Sequence, residues 1–209
     1  MDEIEAAGFL FDMDGTLVDS TAVVESVWTA FGRRHGLDPA ALLAYAHGRQ
    51  AVDTVAHFLP ELSVESRDGL VRGLVAEEIT RTDGIVEVPG AAALLDRLLS
   101  DDVPVAVVTS APRELAIGRM RAAGVPLPPV LIAAEDVARG KPDPQGYVLA
   151  AERIRVPISE CVVFEDADAG LQAAVASGAR VVVVGRHESP VTVGLERLID
   201  YSGLRAAAG

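Results

Sequence analysis

Asp12 and Asp14 place two carboxylates two residues apart, directly after the apolar run Gly8–Phe11. In an extended chain the side chains at i and i+2 share one side, so both acids can face a single ligand. Like charges this close repel, and each costs desolvation in a cleft. Either one carboxyl keeps a proton or a divalent cation sits nearby, and Mg2+ favours carboxylate oxygens, water and phosphate. Gly15 lets the chain turn sharply beneath a ligand. Taken alone, Asp12-Met13-Asp14-Gly15-Thr16 also suits an acidic turn that merely ends a strand.

Three further groups follow apolar runs. Thr109-Ser110 comes after Val105–Val108, where a hydroxyl and nearby main-chain N–H groups can bond a phosphate oxygen; alone, this pair reads as a plain loop. Lys141, the only lysine in the chain, lies in Arg139-Gly140-Lys141-Pro142-Asp143-Pro144. A lysine offers a compact point charge where arginine presents a planar fork, and the prolines restrict the backbone around it. It reads as a cation balancing phosphate and Asp12. Glu165-Asp166 follows Cys161–Phe164 and supplies a second set of oxygen ligands for a metal. Adjacent strand residues face opposite ways, so Glu165 is expected to act through water or a hydrogen bond. Asp168 reads as a helix N-cap.

The elements that must hold these groups are short, β-rich apolar runs bounded by turns or charges: Gly8–Phe11, Val103–Val108, Val130–Ala133, Cys161–Phe164 and Arg180–Val184. Between the later ones lie helical patterns at Gly90–Leu99, Pro112–Ala123, Pro144–Arg153 and Ala169–Ser177. Strands alternating with helices imply βαβ units and a parallel sheet, whose carboxyl ends bind ligands. Between Ser20 and about Val86 the rhythm breaks into helices alone, Thr21–Arg34, Pro39–Ala46, Ala51–Phe58 and Val64–Arg81. Val24, Val27, Trp28 and Phe31 give the first a buried face. The reading is an α/β fold: a Rossmann-like parallel-sheet core, residues 1–19 and 85–209, with a small α-helical cap domain, residues 20–84, inserted after the first strand. Leu17–Ser20 and Gly84–Pro89 are the expected hinges, and the Ala/Gly-rich end from Gly203 is expected to fray.

Bulk properties exclude several classes. The 209 residues are half hydrophobic, with a net charge of -13, so the chain can bury a core but lacks the basic face that a nucleic-acid partner requires. The lone cysteine, Cys161, reads as a buried hydrophobe. The acidic start, Met1–Glu5, is unlike a signal peptide, and no apolar run reaches the ~18 residues of a membrane span. A cytoplasmic location without membrane association is expected.

The strings Phe11-Asp12-Met13-Asp14-Gly15-Thr16-Leu17-Val18-Asp19-Ser20, Val107-Val108-Thr109-Ser110, Gly140-Lys141-Pro142-Asp143-Pro144 and Phe164-Glu165-Asp166-Ala167-Asp168-Ala169-Gly170 resemble the haloacid dehalogenase superfamily of phosphohydrolases. Val88-Pro89-Gly90-Ala91 also fits, and the resemblance covers nearly the whole chain. It is greatest to bacterial sugar phosphatases and the related 2-deoxyglucose-6-phosphate and glycerol-phosphate phosphatases; Ala46-His47-Gly48-Arg49 with Asp53-Thr54 supports that subgroup.

The resemblance implies roles. Asp12 would be the nucleophile that becomes phosphorylated. Asp14 would protonate the leaving alkoxide and then deprotonate water. Mg2+ would bind the Asp12 carboxylate, the Asp14 main-chain carbonyl and Asp166, with Glu165 assisting. Thr109, Ser110 and Lys141 would hold the phosphate of a small sugar or polyol phosphate. Read from their place in the chain, His47 and Arg49, flanking Gly48 in a short turn of the cap, are the candidates to contact the rest of it; the same turn also reads as a solvated inter-helix loop. A dehalogenase would lack the acid/base of Asp14, and a phosphonatase would need a cap lysine. A β-phosphoglucomutase shares every core residue, and a catalytically silent, partner-binding member is the alternative of another class.

Overall fold

The computed structural model describes residues 3–208. Six strands form one parallel sheet in the order β6-β5-β2-β7-β8-β9: β2 (Gly8–Phe11), β5 (Val105–Val108), β6 (Val130–Ile132), β7 (Cys161–Glu165), β8 (Arg180–Val184) and β9 (Glu196–Leu198). The strands β2, β5 and β7 are buried along their whole length, as a sheet covered on both faces requires.

Side-chain alternation divides the sheet between two apolar layers. Phe9, Phe11, Val105, Val107, Val162 and Phe164 face α5 (Ala91–Ser100) and α6 (Arg113–Ala122). Leu10, Ala106, Val108, Cys161 and Val163 face α7 (Gln145–Ile154) and α8 (Asp168–Ser177). Phe11 stacks on Phe164 with centroids 4.7 Å apart, which ties β2 to β7. Burial pushes the Cys161 thiol up to about 11, as expected of a packing residue.

Helices α1 (Thr21–Arg34), α2 (Pro39–Ala46), α3 (Ala51–Phe58) and α4 (Val64–Ile79) close on a separate cluster that includes Val27, Trp28, Phe31, Leu42, Val55 and Leu74. Asp38 caps α2 by accepting from Ala40 N–H, with Pro39 in the first turn, and Ser63 caps α4 through Ser66 N–H. Both fit the preference of helix starts for an oxygen acceptor at the cap and for proline in the first turn.

Several expectations are corrected. The chain entering and leaving these helices is paired: β3 (Val18–Asp19) runs antiparallel to β4 (Val86–Glu87). Two-residue strands are too short to leave a periodic signal. The strand after α5 begins at Val105 because Pro104 has no N–H to give the ladder. The C-terminal segment is paired rather than frayed as far as Ala208: β10 (Arg205–Ala208) pairs in parallel with β1 (Glu3–Ala6), and Leu204 and Ala206 are buried. Asp168 is the first helical residue of α8, with Ala167 in the cap position. Its carboxylate instead accepts from Ser189 Oγ and meets His187 Nε2. Among the described residues no helix is long and apolar enough to cross a membrane.

Candidate active site

The sheet order places β2 between β5 and β7, although β5 follows β2 in the chain and β7 comes later. The chain runs outward from β2 through β5 to β6 and then crosses back to β7 on the other side of β2, and a crevice opens at the carboxyl ends of the strands where this order reverses. Asp12 follows β2, its N–H bonding Phe164 O at 3.0 Å. Thr109 follows β5, its N–H bonding Ile132 O at 2.9 Å. Glu165 ends β7, and Asp166 is next.

Lys141 reaches this point from the loop after β6 and is 5% exposed. Its Nζ donates to Asp12 Oδ1, to Glu165 Oε1 at 2.6 Å and to Val108 O at 3.2 Å, which uses all three ammonium hydrogens. Burial works against the charge, but Asp12 and Glu165 outweigh it and hold the Lys141 pKa above the ordinary range.

Glu165 is fully buried. Oε1 also accepts from Tyr147 Oη at 3.0 Å, and Oε2 accepts from the N–H groups of Asp166 and Ala167. Room for this carboxylate depends on Gly170, where a Cβ would lie 1.5 Å from Oε1. The side chain thus turns inward to anchor Lys141 and the loop that carries Asp166. With both oxygens occupied, it is a poor candidate for direct metal ligation.

Asp12, Glu165 and Asp166 can bring one carboxylate oxygen each within 4.8 Å of one another. Burial first, then the charge of Glu165, raises Asp12 to about 8 against the pull of Lys141. Asp166 is raised well above its ordinary value by burial, Glu165 and Asp12. One ammonium among three carboxylates leaves negative charge uncompensated, and the donors are hard oxygens. The cluster therefore fits a divalent cation, with Asp12 and Asp166 free to bind it. Thr16 Oγ1 orients Asp166 by donating to Oδ1 at 3.0 Å. Gly15, at φ +84°, passes so close that a Cβ would lie 2.0 Å from Asp166 Oδ2.

Asp14 occupies a different setting. Oδ1 accepts from Ser20 Oγ at 2.6 Å and Oδ2 from Arg119 Nη1 at 2.8 Å. Its side chain keeps 28% of its exposure and lines a cavity of about 550 Å³ with Asp12, Asp166, Thr109 and Ser110. Thr109 Oγ1 accepts from Ala111 N–H, which leaves its hydroxyl hydrogen free for an anion. Ser110 Oγ donates to Gly48 O at 2.9 Å, so this hydroxyl ties the α2–α3 loop to the sheet. His47 and Arg49 flank that contact and line the same cavity. His47 is exposed, while the Arg49 guanidinium lies 4.5 Å from the Tyr45 ring centroid.

Three residues escaped the sequence reading: Tyr147, Arg119 and Glu78. Arg119 of α6 is 4% exposed and Glu78 of α4 is 8% exposed, and Arg119 Nη2 lies 3.4 Å from Glu78 Oε1. The helical period would have revealed Arg119, which shares the buried face of α6 with Leu115, Ala116 and Met120. A charge on an apolar stripe needs a partner.

Comparison with known proteins identifies the family. A model of haloacid dehalogenase-like hydrolases matches residues 6–178. Hexitol phosphatase A of Escherichia coli is 45% identical over 177 residues, spanning 85% of this chain and 82% of the relative. 2-Deoxyglucose-6-phosphate phosphatase 2 of Saccharomyces cerevisiae is 34% identical over 219 residues, spanning 93% and 82%. The structure of CbbY from Rhodobacter sphaeroides in complex with phosphate superposes with a TM-score of 0.81 at 25% identity, covering 96% of this chain and 97% of that one. The chain belongs to the haloacid dehalogenase-like hydrolases.

Proposed function

We propose that the protein hydrolyses small sugar or polyol phosphates through a phosphoryl group carried on Asp12, with Mg2+ as its cation. The observation that carries this reading is the pairing of Asp12 with Lys141 at the floor of a cavity that Asp14 also lines. The names of the relatives, a hexitol phosphatase and a 2-deoxyglucose-6-phosphate phosphatase, supply the substrate class.

In the first step an Asp12 carboxylate oxygen bonds to phosphorus, the phosphorus–ester oxygen bond breaks, and Asp14 gives its proton to the departing alcohol. In the second, water attacks phosphorus, Asp14 takes the water proton, and the Asp12–phosphorus bond breaks to release inorganic phosphate. Lys141 fixes Asp12 through Oδ1 and balances charge on the transferring group, while the free Oδ2 is the oxygen available to attack. The Thr109 hydroxyl, with the main-chain N–H of Ser110 and its neighbours, holds phosphate oxygens, while the Ser110 hydroxyl stays on Gly48 O. Preorganised donors of this kind stabilise the charge spread over the transition state. Asp12, Asp166 and the Asp14 main-chain carbonyl would hold the divalent cation, which would supply the remaining charge neutralisation.

Residues 20–84 form the cap domain in this proposal. The core sees only the phosphoryl group, so His47 and Arg49 contact the rest of the substrate, and the cap keeps bulk water away during the first step. The test is phosphate release from a panel of sugar and polyol phosphates, with Mg2+ and with chelator. The proposal expects release that chelation abolishes. Full activity without metal overturns the metal assignment. Conversion of β-glucose 1-phosphate to glucose 6-phosphate faster than phosphate release overturns hydrolysis in favour of a mutase.

A further inference from the structure

Arg119 and Glu78 meet where the two layers around the cavity touch: Arg119 projects from α6 beside the sheet, and Glu78 lies one residue before the end of α4. Arg119 spends its one good hydrogen bond on Asp14, while its Nε and Nη2 have no hydrogen-bond partner. Glu78 faces Nη2 as an ion pair, and neither of its carboxylate oxygens accepts a side-chain hydrogen bond among the described residues. Both residues line the cavity. A carboxylate this buried needs donors, and Arg119 supplies charge without a complete set of bonds.

We infer that Glu78, held beside Asp14 by Arg119, accepts a hydrogen bond from a hydroxyl on the carbon next to the phosphoester carbon, and so selects hydroxylated alkyl phosphates. This rests on the phosphohydrolase reading above. Asp14 must come within hydrogen-bond reach, about 2.6–3.2 Å, of the ester oxygen to protonate it. The next polar group along the leaving alcohol is the hydroxyl on the adjacent carbon, and the next unfilled acceptor beyond Asp14 and Arg119 is Glu78. A carboxylate there repels a second phosphate, and the positive charge of Arg119 is already shared between two acids. The position therefore suits a neutral donor. Arg119 is a positioning residue that keeps Asp14 and Glu78 in register.

The experiment compares kcat/KM for glycerol 1-phosphate and for propane-1,3-diol monophosphate, which differs only in lacking that hydroxyl, with p-nitrophenyl phosphate as a third substrate. Full-length protein is assayed with Mg2+. A hydrogen bond to a charged acceptor is worth about tenfold to a hundredfold, so the wild type is expected to prefer glycerol 1-phosphate by at least about tenfold. Glu78→Ala is expected to erase most of that preference. The isosteric Glu78→Gln, which keeps the packing, is expected to reduce it about threefold or more. Equal kcat/KM for the two alkyl esters in the wild type overturns the inference. So does a Glu78→Ala loss of the same size on both, which would make Glu78 a support for Arg119 alone. If the wild type releases no phosphate even from p-nitrophenyl phosphate, the phosphohydrolase reading fails, and this inference with it.

Discussion

The floor and the roof of the cavity are built differently. On the floor, Asp12, Lys141, Glu165 and Tyr147 are each at most 6% exposed, and Lys141 and Glu165 use every donor and acceptor they have. On the roof, His47 is exposed, Arg49 rests on Tyr45, and their loop is tied to the turns at the sheet's carboxyl end by two bonds, Ser110 Oγ to Gly48 O and Gln50 Nε2 to Ala134 O. A group that handles the same phosphoryl unit in every turnover can be locked by burial and bonding. A surface that must admit a substrate, cover it and release the alcohol has to keep side chains unspent and few ties to the sheet.

The largest expected effect breaks the floor. Asp12→Asn removes the nucleophile while keeping its shape, and kcat is expected to fall by at least about a thousandfold, within the range seen when a covalent catalyst is lost. Lys141→Met comes next. It leaves Asp12 and Glu165 buried without their cation, at a cost of about 3–5 kcal/mol. Denaturant unfolding should therefore show lost stability alongside lost turnover. A Lys141→Met protein as stable as the wild type would contradict the buried network.

The roof should respond selectively. Arg49→Ala is expected to reduce kcat/KM for hexose 6-phosphates about tenfold or more and to leave p-nitrophenyl phosphate much less affected, because only the sugar reaches that contact. Equal losses on both would remove Arg49 from substrate recognition.

This same division governs what could be read from the sequence. Asp12, Thr109, Glu165 and Asp166 were legible because each follows a buried apolar run, and strand ends in a parallel sheet converge. Lys141 was legible by its rarity. The inward turn of Glu165 was not, since it depends on Gly170 vacating space and on Tyr147 arriving from α7. Arg119 and Glu78 sit on helices whose meeting is decided by how the inserted helices rest on α6. The β1–β10 pair was hidden because it joins segments from opposite ends of the chain, and its Ala-rich strand has little β-propensity.

The smallest effect concerns pH and sharpens the charge argument for the floor. With Asp12 raised from 3.8 to about 8 and Asp166 raised in the same direction, the metal-free fold holds protons that the unfolded chain releases. These carboxyls therefore favour the fold below about pH 4, and that contribution is lost as pH rises toward about 8. A cation has to displace the same protons. The increase in Tm on adding Mg2+ is therefore expected to grow between about pH 5 and pH 8. A constant or shrinking increase would contradict the placement of the cation on Asp12 and Asp166.

The central claim is that Asp12 carries the phosphoryl group, and acid quenching tests it most directly. Asp14→Asn protein, in which the second step lacks its base, is mixed with radiolabelled p-nitrophenyl phosphate, whose leaving group needs no proton from Asp14, and Mg2+, then quenched, digested and sequenced. The account predicts a hydroxylamine-labile acyl phosphate on Asp12. A label on any other residue, or phosphate release in the wild type with no phosphoenzyme in either protein, would contradict it.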